Sequence, residues 1–371
     1  MAETDKYEKA SPNRINSASS FKWSNKNFIA LATPSGVYIG YEDKVDSYQR
    51  VIGLRGIESV IVLSQFSLLI ILCECQLYGY DLEELCPSSS KGPKRKFGRI
   101  RLSSSSEKVT YFKVGSTVGK GAIITYVSNR VFQKSVVQFY EPLNVNVRIQ
   151  AYEDKARVKK PKREVWMREA LPNINLATSG NAQILFPFPS SRHVAIIEEN
   201  TLRVLDPTNQ NRVLTLPKFR ISKQVFDNRE QAKHYQINIH NINDIINSGK
   251  VKPIELFTTK SGEYVLIYDE FGLYINEKGI PLKNANIIKW NHNIISATID
   301  GNHLILFSSN FIEIRNKFNG MLLQILNQNK DLRLISQNCL KDEPILCVER
   351  FARSHGEPYG IFDHAFKLNT N

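Results

Sequence analysis

The residues best suited to hold a phosphate are Gly115, Gly119, Lys120 and Gly121. A phosphate-cradling loop has four residues between its glycines and a Ser or Thr after its lysine to hold magnesium. Here three residues separate Gly115 from Gly119, and Gly121 follows the lysine, so a hairpin turn is expected. Asp269, Glu270, Phe271 and Gly272 join two carboxylates to a ring, but their order departs from the kinase Asp-Phe-Gly and no His-Arg-Asp loop accompanies them. They read as an acidic hairpin turn between two apolar strands, with Phe271 packing between repeats. The seven histidines share no ligand spacing, and His234 and His240 lie six apart in a polar segment. Cys73 and Cys75 would face one side of a strand, yet no second pair lies at zinc spacing, so buried free thiols are expected. No Gly-x-Ser-x-Gly elbow and no helix with paired carboxylates is present. No catalytic residue, metal site or cofactor is expected, and the chemistry left to the chain is recognition.

Charge points the same way. The net charge is +13, and twelve of it sits in two runs, residues 91–101 and 155–168. Wider windows that take in Glu153, Asp154 and Glu169 lower this to nine. Both runs contain proline (Pro93 and Pro161) and read as loops. A nucleic-acid binder would spread its cations along one face with aromatics between them, so nucleic acid is not expected as a partner. Lys94, Arg95, Lys96, Arg99, Lys159, Lys160, Lys162 and Arg163 are candidates for contact with an anionic membrane surface or an acidic protein. The plainer reading is that both runs are solvated insertions.

The elements carrying these residues are strands. Period-two patterns and short apolar runs recur at 28–41, 59–82, 108–142, 182–207, 252–279 and 293–320, with a weaker unit at 332–350. Each clear unit ends in a turn followed by a strand with two apolar residues flanking one variable position. Val37, Leu77, Val136, Leu202, Leu273 and Ile312 mark equivalent points, spaced by 40, 59, 66, 71 and 39 residues. The short spacings match a four-stranded propeller blade, and the long ones coincide with insertions at 86–106, 144–168 and 208–251. The expected fold is all-β: a seven-bladed β-propeller with loop insertions over 28–366, preceded by a disordered tail or expression remnant over 1–27. Ring closure would remove the strand edges that the alternative, two β-sandwiches divided near 151–181, leaves open. One or two short helices are expected in 218–251. With 371 residues, an odd number of cysteines and no apolar leader in 1–27, a cytoplasmic protein is expected, and no stretch is long enough to span a bilayer.

Residues 252–282, with Tyr268, Asp269, Glu270, Phe271 and Gly272 at their centre, closely resemble the citron-homology (CNH) domain. The likeness continues through 287–326 with a Trp, an apolar strand pair and the Glu313 and Arg315 strand, and upstream at 33–40. It covers 28–350, is loose in the middle, and lapses over 183–250. Residues 67–85 and 109–124 are most similar to the CNH domain of fungal Rho-type guanine nucleotide exchange factors. The resemblance implies a seven-bladed propeller and a non-catalytic regulatory role in Rho GTPase signalling to cell wall, actin or polarity. It implies protein partners: a Rho-family GTPase, neighbouring exchange domains or a membrane receptor tail, with recruitment to the plasma membrane. It places exchange activity in domains that precede this one. The alternatives are the CNH domain of a germinal-centre-type kinase or another scaffold, and a propeller hydrolase with carboxylates at the ring mouth.

Overall fold

In the computed structural model the apolar runs form antiparallel sheets whose strands follow chain order. The structure describes residues 14–42, 44, 47–86, 98–117, 120–129, 134–154, 163–176, 182–186, 193–219, 229–282, 287–327, 332–336, 345–352 and 361–368. The first sheet holds β1 (Ser17–Trp23), β2 (Lys26–Thr33), β3 (Gly36–Tyr41) and β4 (Gln49–Ile52). The second holds β5 (Ile57–Leu63), β6 (Leu68–Cys73), β7 (Gln76–Asp81) and β8 (Ile100–Arg101), with helix α1 (Leu82–Leu85) after β7. The third holds β9 (Lys108–Thr117), β10 (Lys120–Asn129), β11 (Val136–Pro142) and β12 (Met167–Asn175), with α2 (Val145–Asp154) between the last two. The fourth holds β13 (Ala182–Leu185), β14 (Val194–Glu198), β15 (Thr201–Asp206) and β16 (Asn209–Leu216), followed by α3 (Arg229–Asn247). The fifth holds β17 (Pro253–Lys260), β18 (Glu263–Tyr268), β19 (Phe271–Asn276) and β20 (Ile288–Lys289). The sixth holds β21 (Ser296–Asp300), β22 (His303–Phe307), β23 (Phe311–Asn316) and β24 (Leu322–Asn327). The seventh sheet has three strands among the described residues, β25 (Leu332–Leu334), β26 (Leu346–Ala352) and β27 (Ile361–Lys367). Where a seven-bladed propeller is expected, the described residues form six four-stranded sheets, and the seventh sheet, where the weak unit lies, has three strands.

The chain divides into two compact units. One unit carries the first three sheets and most of the seventh. In it β2 turns Ile29 and Leu31 toward Ile335, Leu346 and Val348, and Ala30 and Ala32 toward Val60, Val62, Leu69 and Ile71. β6 likewise sends Leu69 and Ile71 to one side and Leu68, Ile70 and Leu72 to the other, where they meet Phe112, Ile124 and Tyr126. A strand buried on both faces has no polar side, which is why the second strands read as unbroken apolar runs rather than alternation. Each such side chain contributes about 1.5–3 kcal/mol when fully buried.

The other unit carries the fourth, fifth and sixth sheets. Leu266 and Tyr268 of β18 join Val204 and helix α3, while Val265 and Ile267 join Trp290, Leu304 and Leu306. The helix presents Tyr235, Ile239 and Ile242 at helical spacing to this core, and the Tyr235 hydroxyl donates to the Pro281 carbonyl at 2.9 Å.

Three expectations change at the insertions and the tail. Residues 17–27 are strand and turn, because buried Ser17 and Ser19 take partners that a polar tail would lack. The Ser19 hydroxyl accepts from the Val62 amide at 3.0 Å, and the Ala18 amide donates to Ile335 at 2.8 Å. Segment 208–251 begins as strand β16, and its described helix is one 19-residue element. Segment 144–168 contains α2. The Cys73–Cys75 pair does not share a strand. Glu74 and Cys75 turn with positive φ of 49° and 57° between β6 and β7, which leaves Cys75 exposed and Cys73 buried. Burial pushes the Cys86 and Cys347 thiols up to about 12. No described helix is long and apolar enough to cross a membrane.

Candidate functional site

The Tyr268–Gly272 motif is the turn between β18 and β19, and its backbone is anchored on both sides. The Lys252 amide donates to Asp269 Oδ1 at 2.9 Å, while the Asp269 amide donates to the Lys252 carbonyl at 3.0 Å. The carbonyls of Asp269 and Glu270 accept from the amides of Ile294 and Trp290 at 2.7 and 3.2 Å. The Trp290 indole N–H donates to the Tyr268 carbonyl at 2.9 Å, which holds the six-membered ring of the indole against Gly272. The Tyr268 and Phe271 rings stack with centroids 4.8 Å apart. Phe271 is buried in the cluster that α3 and the fourth sheet share with the fifth. Burial also holds the Tyr268 phenol well above its usual value.

Glu313 and Arg315 lie next to this turn. Two apart on β23, they face the same side of the strand, and the Arg315 guanidinium donates to Glu313 Oε2 through Nε at 2.9 Å and Nη2 at 2.7 Å. Its Nη1 donates to the Gly320 carbonyl at 3.0 Å and its Nη2 to the Lys289 carbonyl at 3.4 Å. The guanidinium carbon stands 5.2 Å from the centroid of the Trp290 ring. The other oxygen of Glu313 accepts from the Asn291 amide at 2.8 Å. Both side chains are buried. Turn, indole, guanidinium and carboxylate thus form one chain of contacts from the fifth sheet to the sixth. A carboxylate whose oxygens are engaged by a guanidinium and a backbone amide is a fastener, since proton transfer would require breaking the pair.

A second buried constellation escaped sequence reasoning. Arg148 of α2 is 0% exposed and stacks 4.3 Å over Trp166. Its Nη2 donates to the carbonyls of Phe66 and of Ser67, the latter at 3.2 Å, and its Nη1 lies 3.6 Å from Asp81 Oδ2. Asp81 accepts from the Ser67 hydroxyl at 3.1 Å and caps α1 by accepting from the Glu83 amide at 2.9 Å. Burial raises the Asp81 carboxyl above its ordinary range, and Arg148 opposes that rise. The available signal was the lone basic residue of a helix that ends in Glu153 and Asp154, and the two carbonyls it binds lie more than eighty residues away.

Of the eight basic candidates, Lys94, Arg95, Lys96, Lys159, Lys160 and Lys162 lie outside the described residues. Arg99 rests 4.9 Å over the Tyr78 ring of β7, and Arg163 rests 4.8 Å over the Tyr140 ring of β11. Gly115 and Lys120 belong to the adjacent strands β9 and β10, so their segment links two neighbouring strands and opens no helix. No group of three or more potential metal ligands occurs among the described residues.

Within each unit, successive antiparallel meanders share apolar cores, as blades of a β-propeller do. The fold agrees with the solved structure "AfRom2 CNH domain", which is 18% identical with a TM-score of 0.65 over 96% of this chain and 94% of that one. It also resembles BBS1N in complex with ARL6DN, 9% identical with a TM-score of 0.51 over 97% and 93% of the two chains. The CNH domain family matches residues 25–338, and the chain belongs to that family. A curated relative is Rho1 guanine nucleotide exchange factor 1 of Schizosaccharomyces pombe, 20% identical over 325 residues. That alignment takes in 83% of this chain and spans 21% of the relative.

Proposed function

We propose that this chain is the regulatory, non-catalytic CNH domain of a Rho-directed guanine nucleotide exchange factor, and that it works by holding protein partners. The observation that carries this reading is the alignment of most of the chain with a Rho1 exchange factor. The packing of Glu313 against Arg315 supports it, because the family motif is occupied in fastening sheets. The partners in this reading are a Rho-family GTPase, the neighbouring exchange domains or a membrane receptor tail. The domain acts in the cytoplasm and at the plasma membrane. The test is nucleotide release from a Rho-family GTPase loaded with fluorescent GDP. The isolated chain should leave the release rate unchanged and bind the GTPase or the adjoining exchange domains in a direct binding measurement. Accelerated release by the chain alone would refute the reading, and binding to neither would remove the GTPase and the exchange domains from its partners.

A second reading rests on charge. Twelve of the thirteen net positive charges belong to two segments, which suits an anionic membrane surface of the kind that carries lipid-anchored GTPases.

A further inference from the structure

In each of the six four-stranded sheets the fourth strand is an edge, and an edge with free backbone groups invites another strand unless something blunts it. Five of the six fourth strands are blunted. β8 and β20 are two residues long and each ends in a cation, Arg101 and Lys289. β4 carries Arg50, β16 carries Arg212, and β12 carries Arg168, Glu169 and Pro172. β24 reads Leu, Leu, Gln, Ile, Leu, Asn: six residues with no charge and no proline. Phe318, Met321, Leu322, Leu323 and Ile325 in and before it are each between 40% and 57% exposed. They fall within eight residues of chain, while the other exposed large apolar residues are spread along it. β24 pairs with β23 on one side, and among the described residues no strand pairs with it on the other.

We propose that β24 is a dimer edge, occupied by β24 of a second copy of this chain in antiparallel two-fold pairing. Such pairing sets the residue on the axis opposite its own copy and every other residue opposite a near neighbour, so a lone charge close to the axis is brought near its like on the second copy. The single cations on β4, β8, β16 and β20 work against that arrangement, Pro172 interrupts the edge of β12, and β24 alone of these fourth strands is both long enough and neutral. With the axis at Gln324, Leu323 lies opposite Ile325 and Leu322 opposite Leu326. Gln324 then meets its own copy, and an amide both donates and accepts, so that pair satisfies itself. The two sixth sheets would become one sheet of eight strands, and the exposed leucines and isoleucine would each gain an apolar cross-strand neighbour on its own face.

The experiment is sedimentation of the whole chain across roughly 1–100 µM, the range where an edge of modest affinity changes its occupancy. Twice the 42.4 kDa chain mass is expected at the upper end. Leu323→Lys/Ile325→Lys should return the chain to a monomer with an unchanged melting transition, while Val213→Lys on β16 should stay dimeric. Hydrogen exchange of wild-type amides 322–327 supplies a readout that needs no variant, and it should slow as concentration rises. A wild type that stays monomeric, forms open-ended oligomers, or shows no concentration-dependent protection over 322–327 would overturn the proposal. So would a dimer indifferent to both lysines.

Discussion

Trp290 lies over Gly272 so closely that a Cβ at residue 272 would sit 2.5 Å from the indole Cη2. The glycine is required by this approach alone, since its φ lies outside the left-handed region. The indole is pinned by its hydrogen bond to the Tyr268 carbonyl and backed by Arg315, so it has little room to withdraw. Gly272→Ala is therefore expected to cost about 1–3 kcal/mol, the range for overpacking a filled core. Thermal or urea unfolding reads this directly, and an unchanged midpoint would mean that the indole moves aside freely.

The Glu313–Arg315 pair makes a sharper prediction. Arg315→Met leaves a buried carboxylate with the Asn291 amide as its remaining partner in this network and should cost about 3–5 kcal/mol. Removing both charges with Glu313→Leu/Arg315→Met should cost less than the single change. A double-mutant cycle on unfolding free energy measures the coupling, and a value near zero would show that the two side chains act independently.

The repeat was legible where strands are buried on both faces. Val37, Leu77, Val136, Leu202, Leu273 and Ile312 all fall on the third strand of their sheets, because the hairpin of second and third strands carries the densest apolar pattern. First strands were harder: β1 buries Ser17 and Ser19 through hydrogen bonds to the second sheet, so its sequence resembles a polar tail. The two-residue strands β8 and β20 are too short for any alternation to register. At the site, Asp269 to Gly272 were recognisable as a turn. Trp290 over Gly272 and Arg148 beside Asp81 depend on contacts that only the folded chain brings together. α3 carried its apolar residues at helical spacing, but polar neighbours diluted them.

Asp81 sets a pH dependence. Its folded-state carboxyl titrates above the ordinary aspartate value because burial penalises the charged form more than Arg148 and the hydrogen bonds from Glu83 and Ser67 favour it. The native state therefore holds this proton more tightly than the unfolded chain, and the Asp81 contribution to stability falls as pH rises from about 4 through the raised folded value. Asp81→Asn cannot titrate. Its stability relative to wild type should improve on going from pH 4 to neutrality, whatever constant offset comes from losing the pairing with Arg148. Urea unfolding of both proteins across that window tests this, and a difference independent of pH would show that the folded and unfolded values coincide.

The last prediction concerns the two basic segments. If they meet an anionic bilayer, each cation near the surface contributes about 1 kcal/mol. Arg99 and Arg163 stand on Tyr78 and Tyr140, so two of the eight guanidinium and ammonium groups are held at defined positions on the second and third sheets. Tyrosine stacking leaves a guanidinium edge free to meet phosphate, and it lowers the ordering entropy that a fully mobile side chain would lose on binding. Co-sedimentation with vesicles containing phosphatidylserine or phosphoinositide should bring down the wild type at low salt, with less bound at physiological ionic strength as the screening length shrinks. A variant with Lys94, Arg95, Lys96, Arg99, Lys159, Lys160, Lys162 and Arg163 changed to serine should stay in the supernatant. Neutral phosphatidylcholine vesicles should bind neither protein. Equal binding of the two proteins, or none by wild type at low salt, would leave the segments as solvated insertions and remove the membrane from the account of this domain.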